Sequence, residues 1–425
     1  WERKLSRVSS HQDSFSTEPF VVHGRTYCPP AQPLAVICID GCADEYLSES
    51  LLAGCMPQLE AIIRDGYRGL VRGALPSFTN VNNSSIVTGV TPAVTGISGN
   101  FFLDPESGEE VMMNSSRFLR CETLLAAASQ HGRKVAMVTA KEKLRDILSS
   151  GLAGIAFSAE KADQAVVGTH GIENVPALVG QPVPEIYSAE ASLFVLQAGV
   201  ALVQQSLADF LYLSLTDYMQ HKYAPHEQPS LDFYAGMDRE IGRLRDLGCV
   251  LGITADHGMN AKNSEDGSPQ VIYLETILRE EFGEGIKVIC PITDPYVVHH
   301  GALGSLVMIH LDDLNRLPEI SQWLWNLPGV SEVYDRQRAA RKLELPEDRI
   351  GDLTVLAGRN WVLGRTTQYH DLTNLQTGLR SHGGRYEEMV PMVLSRPLSA
   401  PYRQLAEGDP RNYDIFDFTC NGSDR

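Results

Sequence analysis

Residues 249–258 read CVLGITADHG. The first six are apolar or small, with no polar alternation, which is the pattern of a strand buried on both faces of a parallel sheet. Asp256, His257 and Gly258 follow at once. Two adjacent ligands can splay to one ion only from a turn, and open α/β sheets bind their ligands beyond the carboxyl ends of their strands. The same grammar recurs outward from this stretch. LAVICI (34–39) ends in Asp40-Gly41, FLYLSL (210–215) runs into Thr216-Asp217 with His221 four residues later, and KVAMV (134–138) runs into Thr139-Ala140-Lys141-Glu142-Lys143. Strand-like runs also stand at 353–357 and 392–394, and helical periodicity marks 56–65, 121–130, 192–207 and 231–247. This alternation predicts an α/β fold with a largely parallel central sheet and helices on both faces.

The stretch 262–350 reads differently. It has strand-like runs at 271–274 and 305–309, a helix near 320–327 and many Gly and Pro breaks. The expected organisation is therefore a discontinuous catalytic core (30–261 and 351–425), a smaller inserted α+β cap (262–350) and an N-terminal extension (1–29). The formal charge of −17 repels phosphate backbones, which argues against nucleic acid or an anionic membrane as partner. An anionic substrate would need a site locally positive against that field. Residues 1–20 lack the apolar core of a signal peptide, and no run reaches the roughly 20 apolar residues of a membrane helix. The eight cysteines are scattered without metal-knuckle spacing and read as reduced thiols, so a cytoplasmic location is expected.

Taken singly, each loaded strand end has a bland reading. Asp40-Gly41 is a turn signal, Asp217-x-x-x-His221 is a local hydrogen bond on one helical face, and the late Ser381-His382-Gly383-Gly384 is a histidine in a glycine-rich loop. Together they place three Asp and three His where the sheet presents its loops. These are ligands of borderline hardness suited to zinc. Six exceed one tetrahedral ion and fit two ions roughly 4 Å apart.

Residues 76–89 read PSFTNVNNSSIVTG, so Thr79 falls at or near a helix N-terminus. Its hydroxyl there is either an N-cap or a nucleophile whose developing charge the helix dipole favours. Asn82 and Asn100 could each donate an amide N–H to a phosphoryl oxygen, or serve turn chemistry.

Asp40, the threonine in PSFTNVNNSSIVTG, Asp217-x-x-x-His221, Asp256-His257-Gly258 and His382 resemble the alkaline phosphatase superfamily, in the nucleotide pyrophosphatase/phosphodiesterase branch that uses threonine as nucleophile. The likeness spans about 34–260 and 350–395. It implies two zinc ions, one on Asp217, His221 and His382, the other on Asp40, Thr79, Asp256 and His257. The stretch His221-Lys-Tyr-Ala-Pro-His226 departs from the branch in lacking glycines, and His226 reads as a loop residue or as an outer-shell or substrate contact. Within the branch, overall likeness and the Lys141-x-Lys143 pair resemble the phosphonoacetate-cleaving members.

Lys141 and Lys143 stand where a strand gives way to a helix, and cations there oppose the dipole. Residues two apart point different ways in a regular helix, so both converge only from an irregular first turn. They are either solvated lysines offset by Glu142 or a seat for a second anionic group on a small phosphonate substrate. In phosphonoacetate that group is a carboxylate one carbon from phosphorus. Attack by Thr79 would expel an enolate, whose charge the lysines would stabilise. A phospho-threonine would remain for water to hydrolyse. The rival activity is a phosphodiesterase or phosphomonoesterase of the same superfamily, which for a nucleotide would want an aromatic stacking pocket. A homodimer is the candidate assembly.

Overall fold

The computed structural model describes residues 15–292, 302–373, 375 and 378–424; the first fourteen residues of the expected N-terminal extension and part of the cap lie outside them. The main sheet has seven strands: β1 (Leu34–Cys38), β2 (Tyr67–Arg72), β3 (Val135–Thr139), β4 (Ile155–Ser158), β5 (Phe210–Ser214), β6 (Val250–Thr254) and, late in the chain, β11 (Met389–Leu394). The spatial order is β2-β11-β6-β1-β5-β3-β4. β6, β1, β5, β3 and β4 are joined by parallel pairings. β11 runs against both of its neighbours, so the sheet is mixed but largely parallel. Pro391 is tolerated in β11 because the ladder with β6 begins only at Met392.

That order decides where the chemistry can sit. The strands that end in Asp256, Asp40, Asp217 and Lys141 are β6, β1, β5 and β3, four consecutive neighbours. Neighbouring strands lie about 4.8 Å apart, so parallel pairing delivers all four loops to one edge. Their interiors are fully buried, as the unbroken apolar runs require. Helix Gln228–Asp246 packs on Ala189–Gln204, Pro57–Asp65 and Asp44–Leu52, and helix Thr79–Thr88 packs among Leu124–Gln130, Glu142–Leu148 and Ile415–Asn421.

One strand differs from expectation. Residues 353–357 were expected in the main sheet, but β10 (Leu353–Ala357) belongs to a second, antiparallel sheet. This sheet has the order β7-β8-β10-β9, with β7 (Ile286–Ile289), β8 (Leu306–Leu311) and β9 (Val330–Asp335). A fully buried apolar run looks the same in either sheet, and pairing decides which one it joins. The main sheet is regained only at Met389. The edge strands β2 and β4 were not anticipated, since β2 is half exposed and carries three polar side chains in YRGLVR.

Arg133 anchors the entry to this sheet. Its guanidinium is buried with Asp209 at 2.5 Å and also donates to the carbonyls of Ser16, Pro30, Gln32 and Asp209. Removing it strands a buried carboxylate and four carbonyls. Arg133→Ala should therefore lower unfolding free energy by about 3–5 kcal/mol, read from denaturant titration, with metal content unchanged in the folded fraction.

Candidate metal centre and nucleophile

Asp40 lies two residues beyond β1, Asp256 two beyond β6, and Asp217 three beyond β5, where it opens the short helix Tyr218–Lys222 that carries His221. His382 arrives from a loop after the strand pair 260–261 with 380–381. Gly41 and Gly383 make these turns possible. Both have positive φ (71° and 116°), and a Cβ would lie 2.9 Å from Asp217 Cβ in one case and 2.3 Å from the Phe78 ring in the other.

The side chains of these loops converge. His221 Nε2 is 2.9 Å from Asp217 Oδ2, and His382 Nε2 is 3.5 Å from the same oxygen. His257 Nε2 is 3.1 Å from Asp40 Oδ1, 3.7 Å from Asp256 Oδ2 and 3.4 Å from Thr79 Oγ1. The His257 and His382 rings stack in parallel, 3.6 Å between centroids. Two groups could hold an ion, Asp217 with His221 and His382, and Asp40 with Asp217 and His257, so Asp217 lies between them.

The far side of each imidazole shows what the near side is for. Nδ1 of His221 bonds the Arg380 carbonyl (2.9 Å), Nδ1 of His382 that of Ser77 (2.7 Å) and Nδ1 of His257 that of Gly258 (2.9 Å). A carbonyl only accepts, so each Nδ1 carries hydrogen and Nε2 is the nitrogen turned toward carboxylate oxygens. A bare lone pair facing a carboxylate is repulsive, so either a proton or a bound cation must stand between them. Asp40 Oδ1 is buried without a hydrogen bond, another acceptor awaiting a cation. The donor set thus fits two divalent ions.

Electrostatics agree. Burial, then the charges of Asp217 and Asp256, push the Asp40 carboxyl up to about 8. Burial would lower His257, yet Asp256 and Asp40 raise it to about 10. Burial and the neighbouring His257 take His382 down to about 3. Protons held on Asp40 and His257 are set against the clustered carboxylates, and a bound cation would take over that role.

Thr79 is the first residue of helix Thr79–Thr88, with Phe78 at the N-cap, and its hydroxyl caps no backbone N–H. The N-cap alternative therefore falls away. Asn80 N–H donates to Asn100 Oδ1 at 2.9 Å, which places Asn100 beside Thr79; its Nδ2 makes no hydrogen bond among the described residues. Asn82 goes elsewhere. Its Oδ1 accepts from Ala74 N (2.7 Å) and Asn412 Nδ2 (2.9 Å), and its Nδ2 donates to Ala74 O, so the expected phosphoryl contact gives way to bracing the loop behind Thr79.

Lys141 is extended, just outside helix Glu142–Leu148, and its Nζ lies 3.7 Å from Asp217 Oδ1. Burial would lower its pKa, but Asp217 and Asp40 raise it. Lys143 is half-buried in the first helical turn. Glu142 binds Arg145 (2.7 Å) and Ser158 (2.6 Å). His226 is exposed on its loop.

Sequence reading missed Asn83. Its Oδ1 accepts from Tyr212 and Ser214, which fixes the amide so that Nδ2 donates to Asp256 Oδ2 (3.1 Å) and to the Thr79 carbonyl (3.0 Å). The signal was its place one helical turn after Thr79, on the same face.

A seven-stranded mixed α/β sheet with this cluster at its carboxyl edge has the alkaline phosphatase-like fold, and the chain belongs to the type I phosphodiesterase/nucleotide pyrophosphatase family, whose model matches residues 34–385. It is a hydrolase acting on phosphorus bonds. The structure is similar to that of phosphonoacetate hydrolase from Sinorhizobium meliloti 1021, solved with phosphonoacetate and with phosphonoformate. The TM-score is 0.90 and the identity 45% over 96% of this chain and 100% of that one. Murine ectonucleotide pyrophosphatase/phosphodiesterase 5 shares the fold alone, with TM-score 0.61 and 16% identity over 92% of this chain and 94% of that one. Among the described residues no helix is long and apolar enough to cross a membrane.

Because Asn83 reaches both the Thr79 turn and Asp256, Asn83→Ala should weaken metal binding or turnover of the folded protein by about 10–100-fold, alongside a lowered melting temperature as the Tyr212 and Ser214 hydroxyls lose their acceptor. Metal titration alongside steady-state phosphate release would measure this, and wild-type values for both would show the amide to be dispensable.

Proposed function

We propose that this protein cleaves the C–P bond of phosphonoacetate to acetate and phosphate, with two zinc ions and Thr79 as nucleophile. One ion would be held by Asp217, His221 and His382, the other by Asp40, Thr79, Asp256 and His257. Such ions would supply Lewis-acid charge, favouring ionised oxygen and offsetting the negative charge of a phosphonate. The observation that carries the substrate assignment is Lys141, an ammonium held 3.7 Å from Asp217, a carboxylate of the cluster itself. The 45% identity to a phosphonoacetate hydrolase supports the same reading.

The chain's own groups divide the work. Thr79 presents its hydroxyl at the positive end of a ten-residue helix, in a buried setting where charge is weakly screened. Asn100, its oxygen held by Asn80, offers an amide N–H to a non-bridging oxygen. Attack by Thr79 Oγ1, its proton given up to solvent, forms the Oγ1–P bond as the C–P bond breaks, and the departing electron pair spreads into the carboxylate as an enolate. Lys141, with Lys143 on the following turn, would stabilise that charge until carbon takes a proton. Water then cleaves the phospho-threonine and releases phosphate.

A second reading has one observation in its favour. Tyr187 is 57% exposed and its ring lies 6.2 Å from that of Tyr218, the neighbour of Asp217. Such a pair is the stacking platform a nucleotide phosphodiesterase would use. Phosphate release from phosphonoacetate, phosphonopyruvate and phosphoenolpyruvate, compared with turnover of a nucleotide diester, decides between them: the proposal expects phosphonoacetate to be preferred, and a dominant diesterase would replace it.

Thr79→Ala should retain fold and metal yet lose nearly all turnover, with Thr79→Ser keeping part of it, since no neighbouring group can take over the covalent step. Substantial activity in the alanine variant would mean that water attacks directly. Lys141→Ala should lower kcat for phosphonoacetate by a factor of about 10², near 3 kcal/mol, as for loss of an oxyanion donor. Because the enolate's charge is greater in the transition state than in bound substrate, kcat should suffer more than KM. p-Nitrophenyl phosphate, which lacks the carboxylate, should suffer far less in the same variant, and equal losses on both would assign Lys141 to the phosphoryl group.

A further inference from the structure

Glu387 and Lys262 form an ion pair at 2.8 Å with both side chains fully buried. Neither is a ligand or a group in the chemistry above. Burying two charges is costly even when they pair, so their other bonds are informative. Glu387 Oε2 accepts from the backbone N–H of Gly384, two residues beyond His382 (3.1 Å). The backbone carbonyl of Glu387 accepts from the N–H of Gly258, the residue after His257 (2.7 Å). Its Oε1 accepts from Lys262 Nζ and from Asn260 Nδ2 (2.8 and 2.7 Å). Lys262 in turn donates to the Arg359 carbonyl at 2.7 Å, and its own N–H donates to Leu379 at 2.8 Å. The short strand pair between these points, 260–261 with 380–381, also includes Arg380, whose carbonyl holds His221 Nδ1.

One residue therefore grips the loop of His257 with its main chain and the loop of His382 with its side chain. Those two histidines stack at 3.6 Å and 6°, yet they belong to different ion sites. We propose that Glu387, locked by Lys262, is a positioning residue that sets the spacing between the two halves of the metal centre through Gly258 and Gly384. The proposal rests on the two-cation reading. It predicts that disturbing Glu387 disturbs both ions together, whereas losing an ordinary ligand disturbs its own ion.

The test uses the full chain, loaded with zinc and, separately, with cobalt. Zinc affinity is measured by competition with a chromogenic chelator, and cobalt coordination by d–d absorption, in wild type, Glu387→Gln, His221→Ala and the double variant K262M/E387Q. The double variant leaves no uncompensated buried charge, so it keeps the test open if the single variant does not fold. In the folded Glu387 variants both zinc ions should bind about tenfold or more weakly and the cobalt bands should shift, while His221→Ala weakens one ion. A folded variant with two undiminished zinc affinities and an unchanged cobalt spectrum, whatever its melting temperature, overturns the proposal and leaves Glu387 a structural brace. Fewer than two ions in the wild-type protein overturns instead the two-cation reading, a failure visible without any variant.

Discussion

Three carboxylates, Asp40, Asp217 and Asp256, are buried side by side at one edge of the main sheet. Like charges in a low-dielectric pocket repel strongly and lose their hydration, so the arrangement is tolerable only with positive charge among them. Much of the surrounding structure answers to this constraint. Gly41 N–H and His257 N–H bond Asp256 Oδ1, and Asn83 takes its other oxygen. Lys141 stands against Asp217. Three imidazoles, each held at Nδ1 by a backbone carbonyl, turn Nε2 toward these carboxylates, where a proton or a cation can be shared.

The same constraint explains an oddly polar helix. Every residue of Thr79–Thr88 is buried, yet Asn80, Asn82, Asn83 and two serines lie in it. Buried amides are stable only when satisfied, and each asparagine is given a separate task. Asn80 donates its amide to the Met113 carbonyl while its backbone N–H holds Asn100, Asn82 braces the preceding loop through Asn412, and Asn83 ties the helix to Asp256. A helix held through so many polar bonds keeps its first residue, Thr79, in a fixed relation to the ligands. Near-attack geometry tolerates little displacement, and such bracing is what preserves it.

The chain is 45% identical to a phosphonoacetate hydrolase and belongs to a phosphodiesterase family. Two features of different kind stand near Asp217: Lys141, an ammonium 3.7 Å from its carboxylate, and the Tyr187–Tyr218 ring pair, Tyr218 being its sequence neighbour.

The candidate carboxylates Asp40, Asp217 and Asp256 were legible in the chain because each stands within three residues of the end of an apolar strand run, whereas His382 lies in a glycine-rich loop that no such run announces. Strand length and the placement of loops at strand ends are local properties, and hydrophobic patterning reports them. The fold class was legible for the same reason. Pairing was not: Leu353–Ala357 reads as a buried strand but lies in the second sheet, and Tyr67–Arg72 is too polar to betray that it closes the first. Nor could spacing separate Asn82 from Asn83, adjacent residues of which one braces a loop and the other holds Asp256, since helical rotation and distant partners such as Asn412 and Tyr212 decide it. The sequence by itself determined which residue types stand at which strand ends. Only the tertiary structure decided which of them meet, because meeting depends on strand order and on hydrogen bonds between segments hundreds of residues apart, such as Ser77 with His382.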